Sequence, residues 1–404
     1  MSAFAFAPNA GSEGGVGWHW ATELAKNHQV TVITDVTRRV GVKSAGVSVP
    51  ENLRIVYFRP RWLRALPLNS ATAQLLYAAW QFGLLPFARR LHRNEHFDLA
   101  MHLTYSVFRH PSFLGFLGIP FIFGPLGGGE DVPLALKRSI HGMEKFREIA
   151  RTFVNKAALL DPFLWLAYAR ANLILVSTKD TGRALPWPFR KRAIVYPNLG
   201  VDGASITSPK AIENSGPLRV LFAGRLLGWK GVHLAIRALA EAHKAGISAT
   251  LDIAGSGPYE SELRALAACC GVEPVVHWHG GLARAELFHL YDSMHCLLFP
   301  SLHDSGGTVV LEAQARGLPV ICLDVGGPAT LVAPGSAIAI PVEHCDEDII
   351  VQRLADALTA LATDRQKLAA MNLAALSHAR SISWEARANG ALALLASQEA
   401  TAAK

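Results

Sequence analysis

The sequence predicts an α/β fold with two doubly wound parallel-sheet domains, and three observations carry the prediction. The chain has 404 residues, more than one hydrophobic core holds, since cores stop growing beyond roughly 250–300 residues. Short apolar runs alternate with longer amphipathic segments, the pattern of parallel strands covered by helices on both faces. The alternation occurs as two series, separated by a polar stretch rich in Gly, Ser and Pro at residues 197–217. Half of the residues are hydrophobic and 18% are charged, which excludes a disordered chain, and no short repeat points to a fibre.

In the first series, strands are expected at residues 3–7, 30–34, 53–58, 99–103, 121–124 and 173–177. In the second they are expected at 218–223, 250–254, 275–278, 296–300, 320–323 and 337–340. Amphipathic spacing predicts helices over 17–27, 232–245, 259–270, 284–293 and 309–316. Together these make two Rossmann-like lobes. The first strand is short enough that the start of the reading frame is expected a few residues earlier. Two stretches break the alternation. Residues 65–88 carry no charge and are flanked by Arg61, Arg64, Arg89 and Arg90, so their length invites a membrane span. Asn69, Gln74, Gln81, Gly83 and Pro86 interrupt the run, and arginine at both ends gives no orientation bias, so a buried or half-buried helix is expected. Residues 131–170 set Lys137, Arg138, Lys145, Arg147, Arg151 and Lys156 among spaced apolar residues, which fits either a solvated face or one lying on a membrane.

Net charge is +7, but unevenly spread: Lys and Arg outnumber Asp and Glu by 24 to 12 in residues 1–200, and are outnumbered 15 to 20 in 201–404. The first half is therefore expected to meet something anionic, such as phospholipid headgroups or a lipid diphosphate, unless arginine is simply frequent in this composition. Nucleic acid is not an expected partner, because no binding motif or lysine run accompanies the charge. The five cysteines (Cys269, Cys270, Cys296, Cys322, Cys345) have no CxxC spacing, which argues against a disulfide scaffold or zinc ribbon. With no basic n-region at the N-terminus, a cytoplasmic protein is expected.

Four groups of residues could do chemistry. The turn Asn9-Ala10-Gly11-Ser12-Glu13-Gly14-Gly15-Val16-Gly17 is expected to run into a helix at Trp18, where backbone N–H groups could approach a phosphate or sugar. It is neither GxGxxG nor a P-loop, and a tight turn with no ligand fits it equally well. His102 is expected at the C-terminal end of its strand, where ligands bind in open α/β sheets, although one of 16 histidines is more often structural. Gly127, Gly128 and Gly129, before Glu130, mark a sharp turn or a close approach to a ligand. In the second half, Arg225 and Lys230 lie on a strand-to-helix turn. Two cations beside a helix N-terminus suit a nucleoside diphosphate leaving group, whose charge grows as the sugar–phosphate bond breaks. The fourth group runs from Asp304 through Ser305, Gly306, Gly307 and Thr308 to Glu312, with seven residues between the two acids. Its glycine turn opens a helix, so N–H groups can meet a phosphate while Glu312 accepts ribose hydroxyls and Asp304 a sugar hydroxyl; a capping Asp with an unrelated Glu is the plain alternative. Asp346-Glu347-Asp348 matches a metal-binding DxD only superficially and is expected to cap a helix.

These residues together resemble the retaining family 4 type of GT-B glycosyltransferases, over almost the whole chain. The family's pair of acids with seven residues between them resembles Asp304 and Glu312, and its Gly-Arg-xxxxx-Lys-Gly stretch resembles Gly224-Arg225 through Lys230-Gly231, here with four residues between the cations. Gly317-Leu318-Pro319-Val320-Ile321 with Gly326-Gly327, and Ser383-Trp384-Glu385 at the start of a last helix, are similar too. Residues 11–18 and 124–130 resemble a bacterial branch. The resemblance implies two Rossmann-like domains facing a cleft: an acceptor-binding domain at 1–200, a nucleotide-sugar-binding domain at 201–380, and a C-terminal helix at 381–404 crossing back. It implies that Arg225 and Lys230 hold the donor diphosphate, Glu312 the ribose, and Gly306, Gly307 and Thr308 the phosphates. It also implies that Asp304 and His102 reach the transferred hexose and that Gly14 and Gly15 line the substrate site.

No cofactor or metal is implied, because cationic side chains and helix N-termini do the neutralising. The implied reaction is transfer of a hexose from a nucleoside diphosphate sugar to a polysaccharide, lipid-linked or other hydroxyl acceptor. Peripheral membrane contact through the basic first half is an expectation from its charge alone, beside that of a solvated face. Two departures stand out: Asp304 where the family usually has Glu, and glycine where an aromatic residue is usual at 306 or 307. A sugar-nucleotide-binding protein without turnover and a hydrolysing sugar-nucleotide epimerase on the same architecture are the alternatives.

Overall fold

The computed structural model describes residues 1–8, 10–68, 72–139, 142–210 and 215–402. Asn9 of the first glycine turn, Asn69, residues 140 and 141 of the basic stretch, 211–214 of the expected linker and 403–404 of the last segment lie outside the described residues. The chain forms two compact units. The first comprises Met1–Gly129, Phe153–Gly200 and Trp384–Lys404, and the second Glu130–Thr152 and Val201–Ser383. This corrects the expected boundaries: residues 130–152 leave the first domain. Their acidic side chains have partners in the second unit, where Glu130 accepts from the Ser305 hydroxyl, Glu144 from the Gly228 N–H (3.0 Å), and Glu148 stands 3.0 Å from His303 Nε2. The last helix starts at Trp384 and groups with the first unit.

The first unit's sheet contains β1 (Ser2–Ala3), β2 (Val30–Thr34), β3 (Leu53–Tyr57), β4 (Ala100–Thr104), β5 (Phe121–Leu126), β6 (Leu173–Val176) and β7 (Ala193–Val195). All pairs are parallel, in the order β3-β2-β1-β4-β5-β6-β7. β1 is shorter than expected because a side chain takes over the ladder. The Thr104 hydroxyl accepts from Ala5 N–H (3.0 Å) and donates to Ala5 C=O (2.9 Å). The following helix begins at Ser12, not near residue 17, and carries Glu13 in its first turn, where an acid complements the helix dipole.

The uncharged run becomes the helix Ala73–Glu95, whose Leu76, Tyr77, Trp80, Leu84 and Ala88 are buried at helical spacing. Phe4 meets Tyr77 and Trp80 edge-on at 5.4 and 5.3 Å, fastening this helix to the sheet. Among the described residues no helix is long and apolar enough to cross a membrane. Just beyond β2, Asp35 and Arg59 form a buried two-pronged ion pair (Nε–Oδ2 2.8 Å, Nη2–Oδ1 2.7 Å), and Thr37 N–H and hydroxyl also donate to Asp35. Burial pushes the Asp35 carboxyl up, but these donors outweigh it and hold it below its ordinary range.

The second unit's sheet contains β8 (Leu218–Ala223), β9 (Ala249–Ala254), β10 (Val276–Gly280), β11 (Cys296–Phe299), β12 (Val320–Leu323) and β13 (Ala337–Ile340). These are again all parallel, in the order β10-β9-β8-β11-β12-β13. Helices Val232–Lys244, Glu260–Cys269, Arg284–Ser293 and Thr308–Ala315 fall within a residue of the amphipathic segments. The acidic run is a cap: Asp346 accepts from Ile349 N–H (3.0 Å) at the start of Glu347–Thr363, and Glu347 and Asp348 both pair with Arg237. All five cysteines are unbridged.

Candidate active site

In an open parallel sheet, ligands bind beyond the carboxyl ends of the strands at the point where strand order reverses. In the second unit that point lies between β8 and β11, and the loops leaving these two strands carry the sequence-predicted residues. Arg225 follows β8, exposed and without an ion-pair or hydrogen-bond partner among the described residues. Lys230 closes the short turn Gly228–Lys230 before the next helix. Its ammonium lies 2.5 Å from Asp304 Oδ2 and 4.3 Å from the centre of the Trp229 ring, which stacks at 4.7 Å on His303. The Lys230 and Asp304 side chains are only 15% and 18% exposed, so the cation is held in place and not freely solvated.

After β11 the chain turns through Gly306 and Gly307 into the helix Thr308–Ala315. Gly307 has φ +137°, a conformation that L side chains rarely adopt, and the helix it precedes has no side-chain cap. The first-turn N–H groups beginning at Thr308 are therefore not taken by a capping side chain. Glu312 sits in the second turn. One carboxylate oxygen stands 3.5 Å from the buried Tyr291 hydroxyl and the other 3.8 Å from an Arg284 guanidinium nitrogen. Burial raises its carboxyl above the ordinary value, which Arg284 and Tyr291 partly offset.

In the first unit the order reverses between β1 and β4. His102 does not stand at the open end. It is the third residue of β4, fully buried, with Nε2 2.9 Å from the Tyr77 hydroxyl and the Phe123 ring edge-on at 5.6 Å. Burial, with His110 nearby, lowers its pKa to about 3. A neutral ring enclosed in the core does not reach a sugar, which corrects the role expected for it. Gly14 and Gly15 lie in the first turn of the helix Ser12–Leu24 and not in a loop before it. A side chain at Gly15 would meet the Ala10 carbonyl at 2.0 Å, so close backbone packing already accounts for that glycine.

The open end is instead formed by residues given no role from the sequence. Tyr105 directly follows β4 with φ +57°, unusual for a non-glycine residue, and its N–H donates to Glu13 Oε2 (3.2 Å). Burial raises the Glu13 carboxyl, partly offset by that N–H and by Arg38. Nor did the sequence point to Trp229, Tyr291, Arg284 or Glu144 as neighbours of the second-unit loops. Trp229 stood inside the glycine–lysine turn and was the one nearest to notice.

Residues 206–376 match the family described as glycosyl transferases group 1. The second unit is similar to that family over most of its length. Along the whole chain, the sequence is 28% identical to a D-inositol 3-phosphate glycosyltransferase of Corynebacterium glutamicum (strain R), covering 94% of this chain and 91% of that one. It is also 29% identical to a putative colanic acid biosynthesis glycosyltransferase, WcaL, of Escherichia coli (strain K12), over 49% of this chain and 50% of that one. Among solved structures it is similar to Anabaena Alr3699/HepE in complex with UDP (TM-score 0.61, 18% identity, 96% of this chain and 98% of that one). It is likewise similar to WaaG, a glycosyltransferase involved in lipopolysaccharide biosynthesis (TM-score 0.58, 19% identity, 98% and 99%). The fold is GT-B.

Proposed function

We propose that this glycosyltransferase moves a hexose from a nucleoside diphosphate sugar to a hydroxyl of a glycan or lipid-linked acceptor, with retention at the anomeric carbon. The observation that carries the reading is Lys230, fixed by Asp304 at the reversal point of the second sheet, with exposed Arg225 on the same loop and an uncapped helix start after β11. In this reading the N–H groups at Gly307 and Thr308 and the two cations take the diphosphate, and Glu312 accepts hydrogen bonds from the ribose. That Anabaena Alr3699/HepE, of similar fold, is solved in complex with UDP supports a nucleotide ligand. The acceptor oxygen attacks the anomeric carbon on the face from which the diphosphate leaves, the carbon–oxygen bond to phosphate breaks, and the departing phosphate oxygen takes the acceptor proton. Lys230 and Arg225 stabilise the charge that appears, so the reading requires neither a side-chain nucleophile nor a metal. Asp304, with one oxygen on Lys230, both holds the cation and offers its other oxygen to a sugar hydroxyl. The first unit takes the acceptor.

Incubation with UDP-, GDP- and ADP-sugars and candidate acceptors tests this. Acceptor-dependent release of nucleoside diphosphate, lost in Glu312→Gln and Lys230→Ala, is expected. Release of free sugar without any acceptor would instead assign hydrolysis, and an unchanged rate in both variants would reject the site.

A further inference from the structure

The second unit has a cluster of basic side chains at the end of its sheet opposite the loops described above. Arg219 is the second residue of β8 and His295 immediately precedes β11, whereas Arg225 and Asp304 follow the other ends of the same two strands. Strands rise about 3.3 Å per residue, so roughly 15 Å separates the two ends. Around the buried His295 ring stand Arg219, Arg365 and Lys210. Arg365 is the first residue of the helix Arg365–Ser381, a place where the helix dipole disfavours a cation. The cluster lies in the half of the chain where acids outnumber Lys and Arg 20 to 15. Among the described residues, none of the three cations forms an ion pair.

The hydrogen bonds show what is missing from this cluster. The Arg219 backbone N–H donates to His295 Nδ1 (2.9 Å), so that nitrogen is bare and the proton of the neutral ring is on Nε2. Nε2 stands 3.4 Å from Arg219 Nη2, which only donates, so two donors face each other and neither satisfies the other. Arg219 Nε and Arg365 Nη1 are enclosed and have no acceptor among the described residues. Arg365 Nη2 donates to the Gly216 carbonyl (2.9 Å) and the Lys210 ammonium to the Tyr291 carbonyl (2.6 Å), neutral acceptors that fix the cations without cancelling their charge. The acids at hand are occupied: Asp292 accepts from two nitrogens of Arg316, and Asp364 caps its helix by accepting from Lys367 N–H (2.8 Å). Burial, then repulsion from Arg219, Arg365 and Lys210, lowers the His295 pKa to about 4. Burial, with Arg316 and Arg219, lowers Lys210 to about 8, which Asp292 partly offsets.

We propose that Lys210, Arg219, His295 and Arg365 bind a phosphate group, carried by inorganic phosphate or a phosphomonoester. The two guanidiniums present forked donors that match phosphate oxygens, the ammonium adds a point charge, and His295 Nε2–H donates to the same anion. Three fixed charges without an acid favour a dianion over a carboxylate. This site goes beyond the donor site and does not require the transfer reading.

The test is calorimetric titration of the full chain with inorganic phosphate, glycerol phosphate and acetate. It is run with UDP present and again in Lys230→Ala, so that the loops after β8 and β11 do not supply the signal. Saturable binding of a phosphate species, tighter than acetate, is expected in both, and the tighter of the two phosphates names the source. Arg365→Gln and Lys210→Gln should each weaken it at least about tenfold, the loss of one charge-assisted hydrogen bond, with UDP affinity unchanged. Lys210 lies outside strands and helices, so its variant decides the matter where Arg365→Gln does not fold. An anion beside His295 favours the charged ring, so an NMR titration should show its pKa rising from about 4 when phosphate is added. No phosphate binding by wild type, equal affinity in both glutamine variants, acetate bound as tightly as phosphate, or a His295 resonance unmoved by saturating phosphate would each overturn the site. A chain that binds phosphate in this way but not UDP would reject the donor site and support this one.

Discussion

The two sheets each reverse strand order once, between β1 and β4 in the first unit and between β8 and β11 in the second, and the two reversal points differ in chemistry. In the second unit the loops there carry a held lysine, an exposed arginine, an uncapped helix start and a half-enclosed carboxylate. In the first, a threonine hydroxyl clasps the opposite strand, the histidine is neutral and enclosed, and the nearby Glu13 is buried. Topology thus fixes where a ligand can enter an α/β sheet, and the side chains on the loops choose which ligand. Net charge is a poor guide at this scale. The half with the excess of acid holds the cation pair suited to phosphate, while the basic half places its charge on outer faces and in ion pairs such as Asp35–Arg59.

The largest effect should separate the halves by stability. Arg59→Leu leaves Asp35 buried and unpaired, and should cost about 3–5 kcal/mol by urea denaturation while UDP affinity of the folded protein is unchanged. A loss of nucleotide affinity in that variant would break the contrast. In the second unit, Lys230→Ala should lower kcat/KM by about 10²–10³, the range for removing one preorganised charge-stabilising group, with stability much less affected; a loss under threefold would contradict the role given to it.

His102→Asn sharpens the contrast from the other side. The Tyr77 hydroxyl loses its bond to the imidazole, so stability should fall by about 1–3 kcal/mol while kcat of the folded protein changes less than threefold. The same variant tests a pH effect. His102 and His110 are lowered by burial to about 3 and about 4, so between the ordinary value near 6.5 and those values the unfolded chain binds protons that the folded chain does not. Their contribution is fully present above about pH 6.5 and is lost as pH falls towards 4. The melting temperature should fall over that window, less steeply in His102→Asn. The smallest effect is expected for Arg237→Ala. Its partly solvated pairs with Glu347 and Asp348 should contribute about 0.5–1 kcal/mol, with activity unchanged; lost activity would mean that the acidic run is more than a cap.

Much of this was legible in the sequence because it depends on local pattern. The strands of the second unit and the helix Arg284–Ser293 follow from apolar runs and amphipathic spacing, and the buried seam of Ala73–Glu95 follows from an uncharged run broken by polar residues. Lys230, Asp304 and Glu312 were readable because a turn between strand and helix must lie at the end of the sheet. What failed depends on contacts remote in sequence. β1 stops at Ala3 because Thr104, about a hundred residues away, bonds to Ala5. Residues 130–152 belong to the second unit because Glu130, Glu144 and Glu148 have partners there, and no composition shift marks that change. For His102, the apolar run did not fix where along β4 the residue falls: it is the third of five buried strand residues, short of the open end at Tyr105, whose backbone turn has no sequence signature.

Calorimetric titration of the full chain with UDP, GDP and ADP tests the central assignment most directly, run on wild type beside Lys230→Ala, Glu312→Gln and His102→Asn. One nucleoside diphosphate should bind wild type and His102→Asn alike, and bind Lys230→Ala and Glu312→Gln at least about tenfold more weakly, the loss of one charge-assisted hydrogen bond. Equal affinity in all four proteins, or loss only in His102→Asn, would contradict a donor site on the loops after β8 and β11.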